Sequence, residues 1–92
     1  MSDVEFLIDE NITGLDRYLE GHDIKFRKVG DSISPELGTP DPLVAKFAKN
    51  NNLVVITMDN NLAKQCEPLD VDVVFWDLRD LSRKVKEYAD SH

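Results

Sequence analysis

The segment Leu53-Val54-Val55-Ile56-Thr57 decides the fold, because its side chains are almost all apolar and most of them are β-branched. Such a run is typical of a central strand in a parallel sheet, where both faces of the strand are covered. Met58 and Asp59 follow the segment, and a short helix is predicted from Asn60 to about Gln65. A strand followed directly by a helix is the repeating unit of α/β proteins, and the same unit recurs along the chain.

Two further strands are predicted before this segment. Val4–Ile8 is a short apolar run that ends at Asp9, and its contiguous apolar residues indicate a buried strand. Asp23–Val29 alternates apolar and polar residues with a period of two, which indicates a half-buried strand towards an edge of the sheet. Between them, apolar residues at helical spacing predict a helix over Ile12–Glu20, and Gly21 is predicted to end it as a C-cap.

A loop over residues 30–40 separates this region from the middle helix. It holds two Gly, two Pro, two Ser and one Thr, and it shows no apolar period. A loop of this length in so small a domain is usually functional or mobile. Asp41 is predicted as the N-cap of the next helix, with Pro42 in its first position. The predicted buried stripe of that helix consists of Leu43, Val44, Phe47 and Ala48.

The C-terminal part adds a fourth strand and a fourth helix. Glu67–Leu69 is predicted as a turn and Val71–Trp76 as a strand. The last helix has one apolar face, made of Leu78, Leu81, Val85 and Tyr88. The order β-α-β-α-β-α-β-α predicts one α/β domain over residues 1–92, a three-layer αβα sandwich around a mainly parallel four-stranded sheet.

Composition narrows the class of protein. The 92 residues suffice for one domain, and 41% hydrophobic residues are enough for a packed core. The apolar runs are too short to span a membrane, and the N-terminal segment has no features of a signal peptide, so we expect a cytoplasmic protein. One Cys and two His make neither a disulfide nor the usual zinc site. The formal net charge of −7 argues against non-specific binding to nucleic acid.

Residues with carboxylate or amide side chains lie at the predicted ends of two strands. Asp9 and Glu10 follow the first strand, and Asp59 and Asn61 follow the third. Ligands of open parallel sheets bind outside the carboxyl ends of the strands, so these side chains are candidates for a binding site. Asp41 joins them only if the loop brings the start of its helix to the same edge. Carboxylates without Cys or His suit Mg²⁺ or Mn²⁺, which activate water and neutralise charge on phosphates.

Structural roles compete with this interpretation. Asp41 and Asp59 each precede a helix, so either can be simply a helix cap. Asp9 is harder to explain in that way, because it follows three contiguous apolar residues. The basic residues at 25–28 and 79–86 can face a polyanion or belong to the solvated surface.

Several of these segments resemble a known family. Phe6–Ile12, the Asp41 helix start after the loop, and Val54–Asp59 are similar in order and spacing to the PIN-like domain superfamily, most closely its short prokaryotic single-domain subfamily. The resemblance covers about residues 5–66. It implies a metal-dependent ribonuclease, an endonuclease that holds Mg²⁺ or Mn²⁺ with acids at strand ends. Many members are toxins of type II toxin–antitoxin pairs and many form homodimers, so RNA, an antitoxin and a second copy are the partners it implies.

The resemblance also assigns roles to individual residues. Asp9, Asp41 and Asp59 match the catalytic acids, and Glu10 matches the acid that follows the first of them in this subfamily. Thr57 matches a hydroxyl that orients the site. The metal ligands that we expect on this basis are Asp9, Glu10, Asp41, Asp59 and Asn61.

Asn61 departs from the family pattern. Members often have a second acid two residues after the position of Asp59, whereas an amide ligates a hard cation only through a neutral carbonyl oxygen. This change weakens any second metal site and supports an alternative, a catalytically degenerate PIN-like subunit that binds or regulates. A third hypothesis, a phosphoacceptor receiver domain with Asp59 as acceptor, lacks the required fifth strand and the Lys at its end.

Overall fold

A computed structural model describes residues 4–12, 14–31 and 35–91. Its strands are β1 (Glu5–Ile8), β2 (Lys25–Lys28), β3 (Leu53–Thr57) and β4 (Val73–Phe75). Its α-helices are α1 (Leu15–Gly21), α2 (Asp41–Asn50), α3 (Asn60–Cys66) and α4 (Leu78–Ser91), and a 3-10 turn covers Glu67–Leu69. The predicted alternation of strands and helices is confirmed. Positions 13 and 32–34, in the predicted first helix and loop, lie outside the described residues.

All neighbouring strands of the sheet run parallel, in the order β2-β1-β3-β4. β3 therefore occupies an inner position and β2 an edge, as their apolar and alternating patterns predict. Ile8 at the end of β1 is level with Ile56 of β3. The residues that follow these two positions, Asp9 and Thr57, thus reach the carboxyl edge of the sheet side by side.

The main core lies between one face of the sheet and helices α2 and α3. Leu7 and Val55, from the two inner strands, are fully buried there together with Leu62 of α3. Full burial of an apolar side chain of this size contributes about 1.5–3 kcal/mol to folding. The other buried members of this cluster are Val29, Val44, Ala45, Ala48, Leu53, Cys66 and Val71. Because this core holds α2 and α3 against the sheet, it also sets where the first residues of both helices lie.

The predicted start and stripe of α2 need correction. Pro40 is the N-cap, and Asp41 is the first residue of the helix. Leu43, predicted to be buried, is 54% exposed, and Phe47 is only partly buried. The helix is rotated so that small side chains face inward, which lets α2 pack closely on the sheet and on α3. The buried residues of α2 are Val44, Ala45 and Ala48.

Two strands and one helix begin at later residues than predicted. In each case the backbone turns at a position that the side-chain pattern does not reveal. Asp23 has a φ of 58°, in the left-handed region, so the strand after it is shorter than predicted. Val71 donates its N–H to the carbonyl of Cys66 and not to β3, so β4 begins later than predicted. α1 begins after Gly14, whose φ is 87°, and not at Ile12.

Among the described helices, only α1 covers the opposite face of the sheet, where it packs beside β2. α4 makes little contact with the rest of the domain, and every one of its residues is exposed. The molecule measures 47 Å along its longest axis, against 29 and 25 Å along the other two. The predicted apolar face of α4 therefore forms but lies in solvent. Within the described residues, no helix combines the length and apolar character that crossing a membrane requires.

Candidate functional site

Asp9 is the buried acid of the carboxyl edge. Its backbone N–H donates to the carbonyl of Ile56, which continues the ladder between β1 and β3 by one residue. The side chain is held inside as a result, and the residue is only 7% exposed. Buried acids are normally paired with a cation. Within the described residues, however, no Lys or Arg forms an ion pair with Asp9, and its one side-chain hydrogen bond comes from a neutral hydroxyl.

Thr57 supplies that hydroxyl and connects the ends of two strands. It is fully buried at the end of β3, and its Oγ1 donates to Oδ2 of Asp9 over 2.6 Å. The same oxygen accepts a hydrogen bond from the backbone N–H of Asp59 at 2.9 Å. One hydroxyl therefore orients the Asp9 carboxylate and fixes the turn that leads to Asp59.

Asp59 is the N-cap of α3. Its Oδ1 accepts the backbone N–H of Asn61 at 2.8 Å, so the capping role considered from the sequence is present. Capping uses one carboxylate oxygen, and among the described residues no hydrogen bond reaches the other. Asn61 contributes its backbone N–H to this cap, and its side chain is exposed and forms no hydrogen bond with a described residue.

Asp41 lies at the start of α2 and is partly buried. Its side chain makes no capping hydrogen bond, so the capping role is absent for this residue. Burial raises the pKa of Asp41 above its ordinary value of 3.8, and the negative charges of Asp59, Asp9 and Glu10 raise it further. The loop thus brings Asp41 near enough to the other acids for their charges to interact.

Glu10 is bonded to the loop. Its exposed carboxylate accepts the N–H of Gly38, at 3.3 Å from Oε1 and 3.2 Å from Oε2. Gly38 has a φ of 82°, a conformation that favours glycine, and it lies three residues before Asp41. The hydrogen bond therefore ties the end of β1 to the segment that leads into α2.

A small cavity of about 190 Å³ lies beside Asp9 and Glu10, and Asp16 and Lys28 also line it. Lys28 donates from Nζ to Oδ2 of Asp16 at 3.3 Å, and this hydrogen bond lowers the pKa of the Asp16 carboxyl below 3.8. Asp16 is a site residue that the sequence did not reveal, because an acid in the first turn of a helix is an ordinary feature. Lys28 is the one basic residue among those that line this cavity.

Arg27, the basic residue next to Lys28 in β2, holds elements of the fold together. Its Nε donates to Oε2 of Glu5 at 2.9 Å, and its guanidinium lies 5.9 Å from the centroid of the Phe47 ring. Of the two bases, Lys28 therefore borders the acidic site, whereas Arg27 joins β2 to β1 and α2.

The donor chemistry of this edge fits a hard divalent cation. Asp41 offers two carboxylate oxygens, and Asp9 and Asp59 each keep one oxygen that accepts no hydrogen bond from a described residue. Carboxylate oxygens are the ligands that Mg²⁺ and Mn²⁺ prefer. In the described ranges, no three His, Cys, Asp or Glu side chains are already arranged closely enough to hold a metal ion together.

Comparison with known proteins finds no relative of this chain. No model of a protein family matches the chain, and neither the curated proteins nor the solved structures contain a match. The function must therefore be inferred from the residues at the carboxyl edge of the sheet.

Proposed function

We propose that this chain is a PIN-like, metal-dependent ribonuclease in which Asp9, Asp41 and Asp59 hold Mg²⁺ or Mn²⁺. The observation that supports this most strongly is the buried carboxylate of Asp9, held by a neutral hydroxyl and without a basic partner among the described residues. Leaving a charge buried in this way costs stability. Such a cost is expected where the carboxylate serves a ligand.

The chain's own residues position the three acids. Thr57 orients the carboxylate of Asp9, and the helix cap restricts the side chain of Asp59. Glu10 holds the loop that leads to Asp41. When bound, a divalent ion supplies an activated water and neutralises charge on a phosphate. We assign Lys28, beside the small cavity, to contact with the RNA backbone, because a Lys binds phosphate as a point charge.

The direct test is cleavage of a mixed RNA pool with Mn²⁺, with EDTA, and with an Asp9→Asn variant. We expect cleavage that requires both the metal and Asp9. Asp23→Asn is the matched control, because it makes the same change at an exposed acid outside the site and Asn also tolerates a positive φ. Cleavage that persists in EDTA, or in Asp9→Asn, would refute the proposal.

Within this proposal we also assign the role that the family resemblance implies, the toxin of a type II toxin–antitoxin pair. Expression of the chain is then expected to arrest bacterial growth, and Asp9→Asn to abolish the arrest. Growth arrest by both forms would show that any toxicity has another cause.

The second candidate function is a degenerate PIN-like subunit that binds without cleaving. Asn61 in place of an acid and the lack of a ready three-ligand group in the described residues favour it. Isothermal titration with Mn²⁺ separates the two candidates when it is combined with the RNA assay. Metal binding that depends on Asp9 but is accompanied by no cleavage would favour the binding subunit.

A further inference from the structure

A cavity of about 490 Å³ lies between α3 and the edge strand β4. Its volume is within the range of about 300–1,000 Å³ that is typical of small-molecule sites. Phe75, the last residue of β4, lines this cavity and is 40% exposed. The other apolar residues of the lining are Ala63, Val71 and Val73, and its polar residues are Asn60, Lys64, Glu67 and Asp72. The cavity therefore combines an apolar floor that includes one aromatic ring with several polar side chains.

The strands place Phe75 beside the acidic site. Thr57 at the end of β3 is level with Phe75, and its hydroxyl donates to the carboxylate of Asp9 at the end of β1. These three residues thus follow one another across three neighbouring strands. Because adjacent strands are about 4.8 Å apart, the backbone of Phe75 lies roughly 10 Å from that of Asp9. The cavity is a lateral continuation of the acidic edge.

Helix α3 joins the same cavity to the site from the other side. Asn60, Ala63 and Lys64 are spaced i, i+3 and i+4, so they lie on one face of the helix. Asn60 directly follows Asp59, one of the three acids assigned to the metal. The side chain of Ala63 is small and leaves room between the helix and the strand. The polar end of the cavity therefore adjoins the proposed metal ligands.

The side chains of this cavity match the parts of a nucleotide. Unpaired bases stack on aromatic rings, and an exposed Phe at the end of an edge strand offers such a ring. The amide of Asn60 both donates and accepts hydrogen bonds, as the edge of a base requires. Lys64 is the one basic residue of the lining, and within the described residues it forms no ion pair. Its ammonium group suits a phosphate.

The distribution of charge gives the ligand a direction. α3 runs away from the carboxyl edge and β4 runs towards it, so Glu67 and Asp72 lie at the end of the cavity that is farther from the acids. Their negative charges disfavour a phosphate at that end. Lys64 and the metal site favour phosphates at the other end, which leaves the apolar floor to the base. An apolar segment of a partner protein would leave Asn60 and Lys64 without a ligand.

We propose that this cavity binds one nucleotide of single-stranded RNA, with its base stacked on Phe75, its edge bonded to Asn60 and a phosphate on Lys64. The inference rests on the proposed function, because the same RNA strand then passes the acids beside Phe75. It adds the substrate class, since a base that is paired in a duplex cannot stack on a side chain. Stacking tolerates every base, so the subsite selects unpaired RNA and not a sequence.

An NMR titration of the isotope-labelled full chain with adenosine monophosphate in EDTA tests the subsite without metal or cleavage. Ribose phosphate, which has the phosphate but no base, is the matched ligand. We expect saturable shifts of the backbone amides of Ala63, Lys64 and Phe75 with the nucleotide, and much smaller shifts with ribose phosphate. No shifts at these residues, or equal shifts with both ligands, would overturn the inference even if the chain proves to be a metal-dependent ribonuclease.

Variants of Phe75 separate stacking from a structural role. Phe75→Leu keeps an apolar side chain but removes the ring, and should weaken binding of adenosine monophosphate by at least about fivefold. Phe75→Tyr keeps the ring and should bind as the unchanged chain does. Tyr18→Leu removes an aromatic ring that is 72% exposed on α1, and is expected to have no effect. Unchanged binding by Phe75→Leu would overturn the inference and leave Phe75 to contact with a protein.

Lys64→Met tests the phosphate contact in the same titration. It should weaken binding of both adenosine monophosphate and ribose phosphate, because both carry the phosphate. Lys46→Met is the matched control, since Lys46 is an exposed base on α2 outside the cavity. Equal effects of the two variants would mean that the phosphate is attracted by charge alone and would overturn the role of Lys64.

Cleavage kinetics connect the subsite to the reaction. Phe75→Leu should lower kcat/KM on single-stranded RNA by at least about fivefold, mainly through a higher KM, because stacking contributes to binding of the substrate. Annealing the RNA to a complementary strand removes its unpaired bases. The duplex should be cleaved less by the unchanged chain, and Phe75→Leu should then differ little from it. The same loss on single-stranded and duplex RNA would overturn the inference, because it could not come from stacking of an unpaired base.

Discussion

The hydroxyl of Thr57 donates a 2.6 Å hydrogen bond to Oδ2 of Asp9, across 48 positions of the chain. The contact arises because β1 and β3 are parallel neighbours whose last paired residues, Ile8 and Ile56, are level. It joins the two inner strands and orients the one buried carboxylate of the described residues at the carboxyl edge. The stability of the domain and the geometry of its acidic site therefore depend on the same bond.

Replacing Thr57 with Val should destabilise the fold by about 1–3 kcal/mol at neutral pH, because the Asp9 carboxylate and the Asp59 N–H both lose a buried partner. Urea unfolding followed by Trp76 fluorescence measures the change in the free energy of unfolding. Thr39→Val is the matched control, since the Thr39 hydroxyl donates to the carbonyl of Glu36 at an exposed position. Equal losses in the two variants would contradict a special role for Thr57.

Replacing Asp41 with Asn should stabilise the protein at neutral pH. Burial and the nearby acids raise the pKa of Asp41 in the folded state above 3.8, so the folded protein binds this proton more tightly than the unfolded chain. Well below pH 3.8 Asp41 is protonated in both the folded and the unfolded state, so its ionisation does not change the free energy of unfolding. As the pH rises through the raised pKa, the charged carboxylate opposes folding. We therefore expect a gain of about 0.5–1 kcal/mol at neutral pH.

The gain from Asp41→Asn should disappear in acid, well below the ordinary pKa. Unfolding curves at the two extremes of pH measure the difference. Asp23→Asn is the matched control, because it removes a carboxyl group at an exposed position. A stabilisation of Asp41→Asn that is the same at both extremes would mean that the charge of Asp41 is not its cause.

Mn²⁺ should raise the thermal unfolding midpoint of the unchanged protein and leave that of Asp9→Asn almost unmoved. A ligand that binds only the folded state stabilises it by about 2.7 kcal/mol at one hundred times its dissociation constant. Differential scanning calorimetry with Mn²⁺ and then with excess EDTA checks the effect and its reversal. The same rise in both forms would place the bound ion elsewhere on the acidic surface.

Cys66 should not react with thiol reagents while the protein is folded. Its side chain is fully buried in the core against α2 and β3, and burial raises the pKa of the thiol, with a further contribution from the charge of Asp41. Both effects remove the reactive thiolate. Labelling with a chromogenic disulfide in buffer and in urea measures the contrast. Rapid labelling of the folded protein would show that α3 opens easily.

The order of elements and the parallel sheet could be predicted because β3 and β1 are apolar without interruption. That pattern also placed Asp9 and Asp59 at one edge, since strand ends in a parallel sheet coincide. The stripe of α2 could not be predicted correctly, because Leu43 and Ala45 are both apolar and only packing against α3 decides which is buried. Local patterns do not contain that information.

The contacts that assemble the site are the part that sequence alone could not supply. The hydrogen bond from Gly38 to Glu10 depends on the path of a loop without periodic pattern. The position of Lys28 and Asp16 beside Asp9 depends on how α1 packs on β2. Likewise, the apolar face of α4 could be predicted, but its exposure could not, because amphipathic patterns do not say which surface covers them.

Glu10 offers the sharpest remaining test, because the structure gives it a partner other than a metal ion. If it acts by holding Gly38, Glu10→Gln keeps a carbonyl oxygen that accepts the same N–H, and the affinity for Mn²⁺ should change by less than about tenfold. Glu10→Ala removes the acceptor and releases the loop before Asp41, so the affinity should fall by about 10–100-fold, as it does when supports of metal ligands are removed. Isothermal titration of both variants with Mn²⁺ measures the difference. Equal and large losses in the two variants would instead make Glu10 a direct ligand of the ion, as the family resemblance implies.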